Sequence, residues 1–219
     1  MIISLLLFIL SAIFLFLSSQ ALLSRLFRLL PLNLLFFILL PGIFLHELSH
    51  ILMAEILGVR TGELKLRPEL KDNHLSLGSA QIAQTDPFRL TIIGLAPFVT
   101  GIAVLWLILK FGLNINIENF KIWSLIENWN LKIVNLGFGY LIFAIANTLF
   151  SSPSDLQSAG IPVILVLLLL GIFQLAHLSL PIALLPYLTN FFSSLATIFA
   201  YTLIINFALL IPLKLFSKR

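Results

Sequence analysis

Long apolar runs broken by short polar stretches dominate this chain, and the runs have the length of a bilayer crossing rather than of a strand. A helix rises about 1.5 Å per residue, so about 20 apolar residues cross the hydrocarbon. On that criterion residues 1–23, 33–57, 88–111, 131–150, 161–179 and 184–211 form six candidate spans. The first is predicted to end before Arg25 and Arg28, and the second at Gly58, a residue that tolerates the left-handed conformation at a helix C-terminus. Asp86-Pro87 predicts the start of the third: an N-cap oxygen, then a residue whose missing N–H is no loss at the first helical position.

Between the second and third runs the period changes from helical to alternating. Glu63 to Arg67 alternates, Asp72-Asn73 supplies a turn, and Leu75-Ser76-Leu77 alternates again, which predicts a β-hairpin at the membrane surface over residues 60–85. The polar stretch 112–130 carries Trp123 and Trp129, aromatics of the kind that sit at headgroup level. No internal repeat divides the chain, so residues 1–219 are expected to form one membrane domain. The fold class expected is an all-α polytopic membrane protein of about six transmembrane helices with one small surface β-hairpin.

Composition supports a lipid environment: 60% of residues are hydrophobic and 10% charged, with a mean hydropathy of +1.11. Met1 to Leu23 is apolar for longer than a secretory signal needs and is followed by further runs, so it is expected to be retained in a multi-pass protein of a prokaryotic plasma membrane. The net charge of +4 comes from thirteen Lys/Arg spread over the segments between apolar runs, which serves membrane orientation and assigns no nucleic-acid partner. With six spans, eight of those charges (Arg60, Lys65, Arg67, Lys71, Arg89, Lys214, Lys218, Arg219) share a side with both termini, against five opposite. Both termini and the hairpin are thereby expected in the cytoplasm. Cysteine is absent, which excludes disulfides, thiolate metal sites and cysteine nucleophiles.

One constellation carries chemistry. The second span contains His46-Glu47-Leu48-Ser49-His50, an H-E-x-x-H pattern. Four residues advance a helix by about 400° and 6 Å, so both imidazoles project from nearly one face and Glu47 lies beside them. Neutral imidazoles suit Zn2+, and an adjacent carboxylate suits proton removal from water. From four His and six Glu in 219 residues, the pattern arises by chance roughly two times in a thousand. His46 also falls near the middle of its span, where each ionisable group costs on the order of 2.5–3.5 kcal/mol unless satisfied. Three together point to a metal or a wet cavity.

A catalytic zinc usually has three protein ligands. Of the remaining acidic and histidine residues near apolar runs (Glu55, His74, Asp86, Asp155, His177), Asp155 is the strongest candidate. It follows the fourth span after Pro153, which breaks the helix, and irregular backbone at depth is tolerated only against protein or water. His74 reads as a hairpin-surface residue, His177 as interfacial, and Glu55 as solvated or paired near a helix end.

These features together resemble the site-2 protease family of intramembrane zinc metalloproteases. That family has H-E-x-x-H in one core helix, a surface β element, a second core helix, and a third ending in an Asn, a proline-containing bend and an Asp eight positions after the Asn. Asn147, Pro153 and Asp155 keep that pattern, with Leu156 where the family commonly has Gly, and the likeness covers a protease-like core at 33–160. Gly94-Leu95-Ala96-Pro97 resembles the second core helix, though helix packing with a kink explains it equally well. The resemblance implies zinc ligation by His46, His50 and Asp155, a general base in Glu47, and an Asn147 that steadies substrate. It further implies a membrane-protein substrate. A non-proteolytic membrane metal-binding or metal-transport protein is the rival expectation.

Overall fold

The computed structural model describes residues 2–66, 69–71, 74–76, 78–112, 133–149 and 184–216. Helix α1 (Ile2–Leu29) is followed by α2 (Leu32–Ile56), strands β1 (Thr61–Lys65), β2 (Glu69–Lys71), β3 (His74–Ser76) and β4 (Ser79–Ile82), then α3 (Pro87–Leu107), α4 (Ile133–Thr148) and α5 (Leu184–Phe216). A π-helical turn, Ile108–Gly112, prolongs α3. Among the described residues four helices, Ile3–Leu29, Leu32–Ile56, Pro87–Gly112 and Leu185–Lys214, are long and apolar enough to cross a membrane. The protein is accordingly mostly helical and membrane-embedded. The candidate span at 161–179 lies outside the described residues.

Local signals set several boundaries as expected. Asp86 caps α3 by accepting the Arg89 N–H at 3.0 Å, and that bond holds its carboxyl below the usual carboxylate range. Gly58 closes α2 with φ +68°. Helix α1, by contrast, runs on through Arg25 and Arg28 to Leu29. The reason is long-range: the Arg25 guanidinium donates to the Leu210 carbonyl at 3.3 Å, so its charge is satisfied while its stem lies along α5.

Helix α4 sits at the centre. Every residue from Ile142 to Leu149 is buried, and α4 touches each of the other four helices. It approaches α2 and α3 at two glycines. A Cβ on Gly42 would collide with the Ala144 carbonyl oxygen and the Thr148 hydroxyl, and one on Gly101 would collide with Leu149. Without a hydrophobic drive between helices in lipid, such close backbone approach is a main source of packing energy.

The β element departs from its expected place. β1 pairs antiparallel with β4 (Leu64↔Ala80, Lys65↔Ser79), and β2 with β3 forms the outer pair (Leu70↔Leu75). Thr61 bonds Glu55 at the last turn of α2, whereas Leu66 packs into the Leu35, Leu39 and Ile43 cluster. β1 therefore runs back along α2 instead of lying beyond its end at the surface. The lengths agree: five strand residues span about 17 Å, and twelve helical residues about 18 Å. Leu64, Leu66 and Ile82 give this hairpin partly buried apolar positions, which an aqueous surface would leave unpaired.

α1 and α5 lie side by side, and their contacts ascend together. Phe8 meets Phe192 and Phe199 with ring centroids 5.8 and 5.6 Å apart, Ser18 accepts from Asn206, and Arg25 reaches Leu210. The two helices are thus parallel. Parallel spans put the N-terminal end of α1 and the C-terminal end of α5 on opposite faces, which corrects the expectation that both termini share a side. α3 is antiparallel to α2, as the contacts of His50 with Ile93 and Ser49 with Thr100 require. Among the described residues Arg25, Arg28, Lys110 and Lys214 then belong to one face. Arg60, Lys65 and Arg89 belong to the other, so the described charges no longer place both termini in the cytoplasm. Reporters fused before Met1 and after Arg219 are expected to read on opposite sides of the membrane; the same reading from both would contradict the parallel pairing.

Candidate metal centre

The helical repeat of α2 brings His46 and His50 together as the motif demands. Their ring centroids are 5.1 Å apart and their planes are inclined at 81°. Both imidazoles are buried, at 5% and 8% exposure, and so is Glu47 at 9%. The His50 Nδ1 lies 2.9 Å from the Ile93 carbonyl oxygen of α3. A carbonyl can only accept, so Nδ1 carries a proton, which in the neutral ring leaves the lone pair on Nε2. This is the arrangement by which a second shell fixes the tautomer of a ligating histidine. One residue earlier, the Ser49 and Thr100 hydroxyls share a hydrogen bond that joins the same two helices.

Glu47 lies against the hairpin. A Cβ on Gly78, just before β4, would stand 3.0 Å from Glu47 Cγ and 3.2 Å from its Oε1. The approach to β4 therefore lies against the carboxylate. Gly78 provides the space, since any larger side chain would displace either the strand or Glu47. Among the described residues β1 and β4 pair with each other and with no third strand, leaving strand edges for hydrogen bonding near this point.

Asn147, on α4, is 1% exposed, and its amide is engaged. Nδ2 donates to the Phe143 carbonyl and to Asn206 Oδ1, both at 2.9 Å. Asn206 Nδ2 returns the bond to Asn147 Oδ1 at 2.8 Å and also donates to Ser18 Oγ at 3.1 Å. The reciprocal amide pair, with Ser18, ties α1, α4 and α5 together inside the apolar interior. Sequence reasoning missed Asn206 and Ser18. An isolated amide in the middle of the apolar run 184–211 was the available signal, because polar groups at that depth need partners.

Asp155, Pro153 and His177 lie outside the described residues. Among the described residues no group of three His, Cys, Asp or Glu is arranged to hold a metal. His74 opens β3, and Glu55 accepts from Thr61 at the far end of α2 from Leu32. Glu55 does not join the histidine pair. The donors that are placed nonetheless suit zinc: two imidazoles one helical turn apart, one with its tautomer set for Nε2 ligation, and a carboxylate between them in sequence. No protein-family model, curated protein or solved structure matches the chain, so the functional reading rests on these residues.

Proposed function

We propose that the chain is an intramembrane zinc metalloprotease of the site-2 type, which hydrolyses peptide bonds in or near the transmembrane segments of other proteins of a prokaryotic plasma membrane. The observation that carries this reading is the buried His46–His50 pair, 5.1 Å between rings, with Glu47 beside it in a helix apolar enough to cross a bilayer. Ionisable groups at such depth are retained for function or not at all.

In this reading His46, His50 and Asp155 hold Zn2+. Bound zinc supplies Lewis acidity toward the scissile carbonyl and lowers the pKa of water toward about 7. Glu47 accepts the proton of the attacking water and returns it to the leaving amine. Its low exposure excludes bulk water and strengthens its electrostatic action. An extended substrate segment adds to a strand edge of the β1–β4 pair, which unwinds its helix and sets its backbone beside Glu47. Both N–H groups of the Asn147 amide are engaged, so it steadies substrate by giving up its bond to the Phe143 carbonyl or to Asn206.

The test is a cleavage assay with zinc-loaded protein in liposomes and a mixture of single-span polypeptides. Cut sites within the spans, read by mass spectrometry and blocked by a zinc chelator, are the expected result. Intact polypeptides in the presence of fully metal-loaded protein would refute the proposal. Gly78→Val is expected to lower cleavage at least tenfold with metal content unchanged, because its branched side chain enters the space of the Glu47 carboxylate.

A further inference from the structure

Proline in a helix interior leaves a carbonyl without its donor: residue i lacks an N–H, so the carbonyl at i−4 receives no ladder bond, and the ring pushes that carbonyl out of line. α3 contains one such residue, the buried Pro97. The carbonyl four residues before it belongs to Ile93, which is 2% exposed. In lipid an unsatisfied buried carbonyl costs several kcal/mol, and here its partner is supplied by the neighbouring helix: His50 Nδ1–H donates to it at 2.9 Å. The carbonyl that Pro97 releases is the one that fixes a histidine of the H-E-x-x-H motif.

We infer that Pro97 is a positioning residue of the His46/His50 centre. By withholding an N–H it keeps the Ile93 carbonyl available to His50, which holds that imidazole in its Nδ1–H tautomer with the lone pair on Nε2. The Ser49–Thr100 hydroxyl bond supports the same juxtaposition, and the Thr100 hydroxyl also lies 2.8 Å from the Ala96 carbonyl in the same turn. Pro97 touches neither metal nor substrate, and its action is wholly through the backbone. As far as it concerns metal binding, the inference rests on the proposed zinc site.

The test replaces the missing donor. In Pro97→Ala, residue 97 gains an N–H that competes for the Ile93 carbonyl, and Pro97→Val does the same at nearly the original volume. Nitrogen-15 NMR of labelled histidine in the metal-free protein is expected to show the Nδ1–H tautomer at His50 in the wild type and its loss in both variants. Zinc affinity, by competition with a chelator, is expected to fall about 10-fold to 100-fold, although removing a helix proline leaves the thermal midpoint equal or higher. Pro212→Ala, in α5, is the control and is expected to change neither quantity. An unaltered Nδ1–H signal in Pro97→Ala and Pro97→Val overturns the inference. Failure of the wild type to bind zinc would instead sink the metal reading, and the tautomer measurement would still decide the role of Pro97.

Discussion

In the proposed protease Glu47→Gln is expected to lower peptide-bond hydrolysis about a thousandfold while zinc is retained. The amide has the shape of the carboxylate but cannot accept a proton, and general-base catalysis contributes about 10²–10⁴-fold to rate. Among the described residues the only carboxylate in the buried environment of His46 and His50 is Glu47, at 9% exposure. Metal content is expected to be retained, since in the proposed site Glu47 serves the reaction and the histidines serve the ion. Rate measurement alongside metal analysis checks both halves. Cleavage at the wild-type rate by the variant would remove Glu47 from the mechanism. Metal transport persisting unaltered in the variant, with no proteolysis in either protein, would favour the carrier reading.

Gly42→Leu disrupts the helix packing on which the site stands. Even the first carbon of a side chain at this position would collide with the Ala144 carbonyl oxygen and lie 2.7 Å from its carbon. Backbone atoms of the central helix cannot step aside as a flexible side chain can. Overpacking of this kind costs about 3 kcal/mol, a large share of a typical folding stability of about 5–15 kcal/mol. Because Gly42 lies one turn before His46, separation of α2 from α4 also moves the imidazoles. A lower thermal midpoint in detergent and loss of zinc are expected together. Gly137→Ala is the contrasting case: nothing lies within 4 Å of the added carbon, so the helix gains about 0.5–1 kcal/mol from reduced backbone freedom in the unfolded chain. Equal midpoints for Gly42→Leu and the wild type would show that the α2–α4 contact is not tight.

The features legible in the sequence were those encoded locally. Asp86-Pro87 starts α3 because capping involves neighbours three residues apart. H-E-x-x-H yields a histidine pair because one helical turn fixes it. The alternation at 60–85 produces strands for the same reason. What escaped is non-local. Helices that are apolar on every side give no stripe to show which face meets which neighbour, so the parallel contact of α1 with α5 had no signature. The return of the hairpin along α2 depends on Leu66 packing against the cluster that includes Leu35, Leu39 and Ile43, and no period announces that. Pro97 illustrates the difference well. Its sequence context suggests a packing kink, whereas its consequence lies on another helix, at His50. The proposed third ligand, Asp155, remains an expectation of the sequence alone, being outside the described residues.

Zinc content of the purified chain, measured by mass spectrometry of the elements beside His46→Ala and Asp155→Ala, tests the centre most directly. One zinc per wild-type chain, falling to less than about a tenth in each variant, is predicted from a three-ligand site. Equal zinc in all three proteins, or none in the wild type after zinc loading, would contradict a metal held between these helical regions.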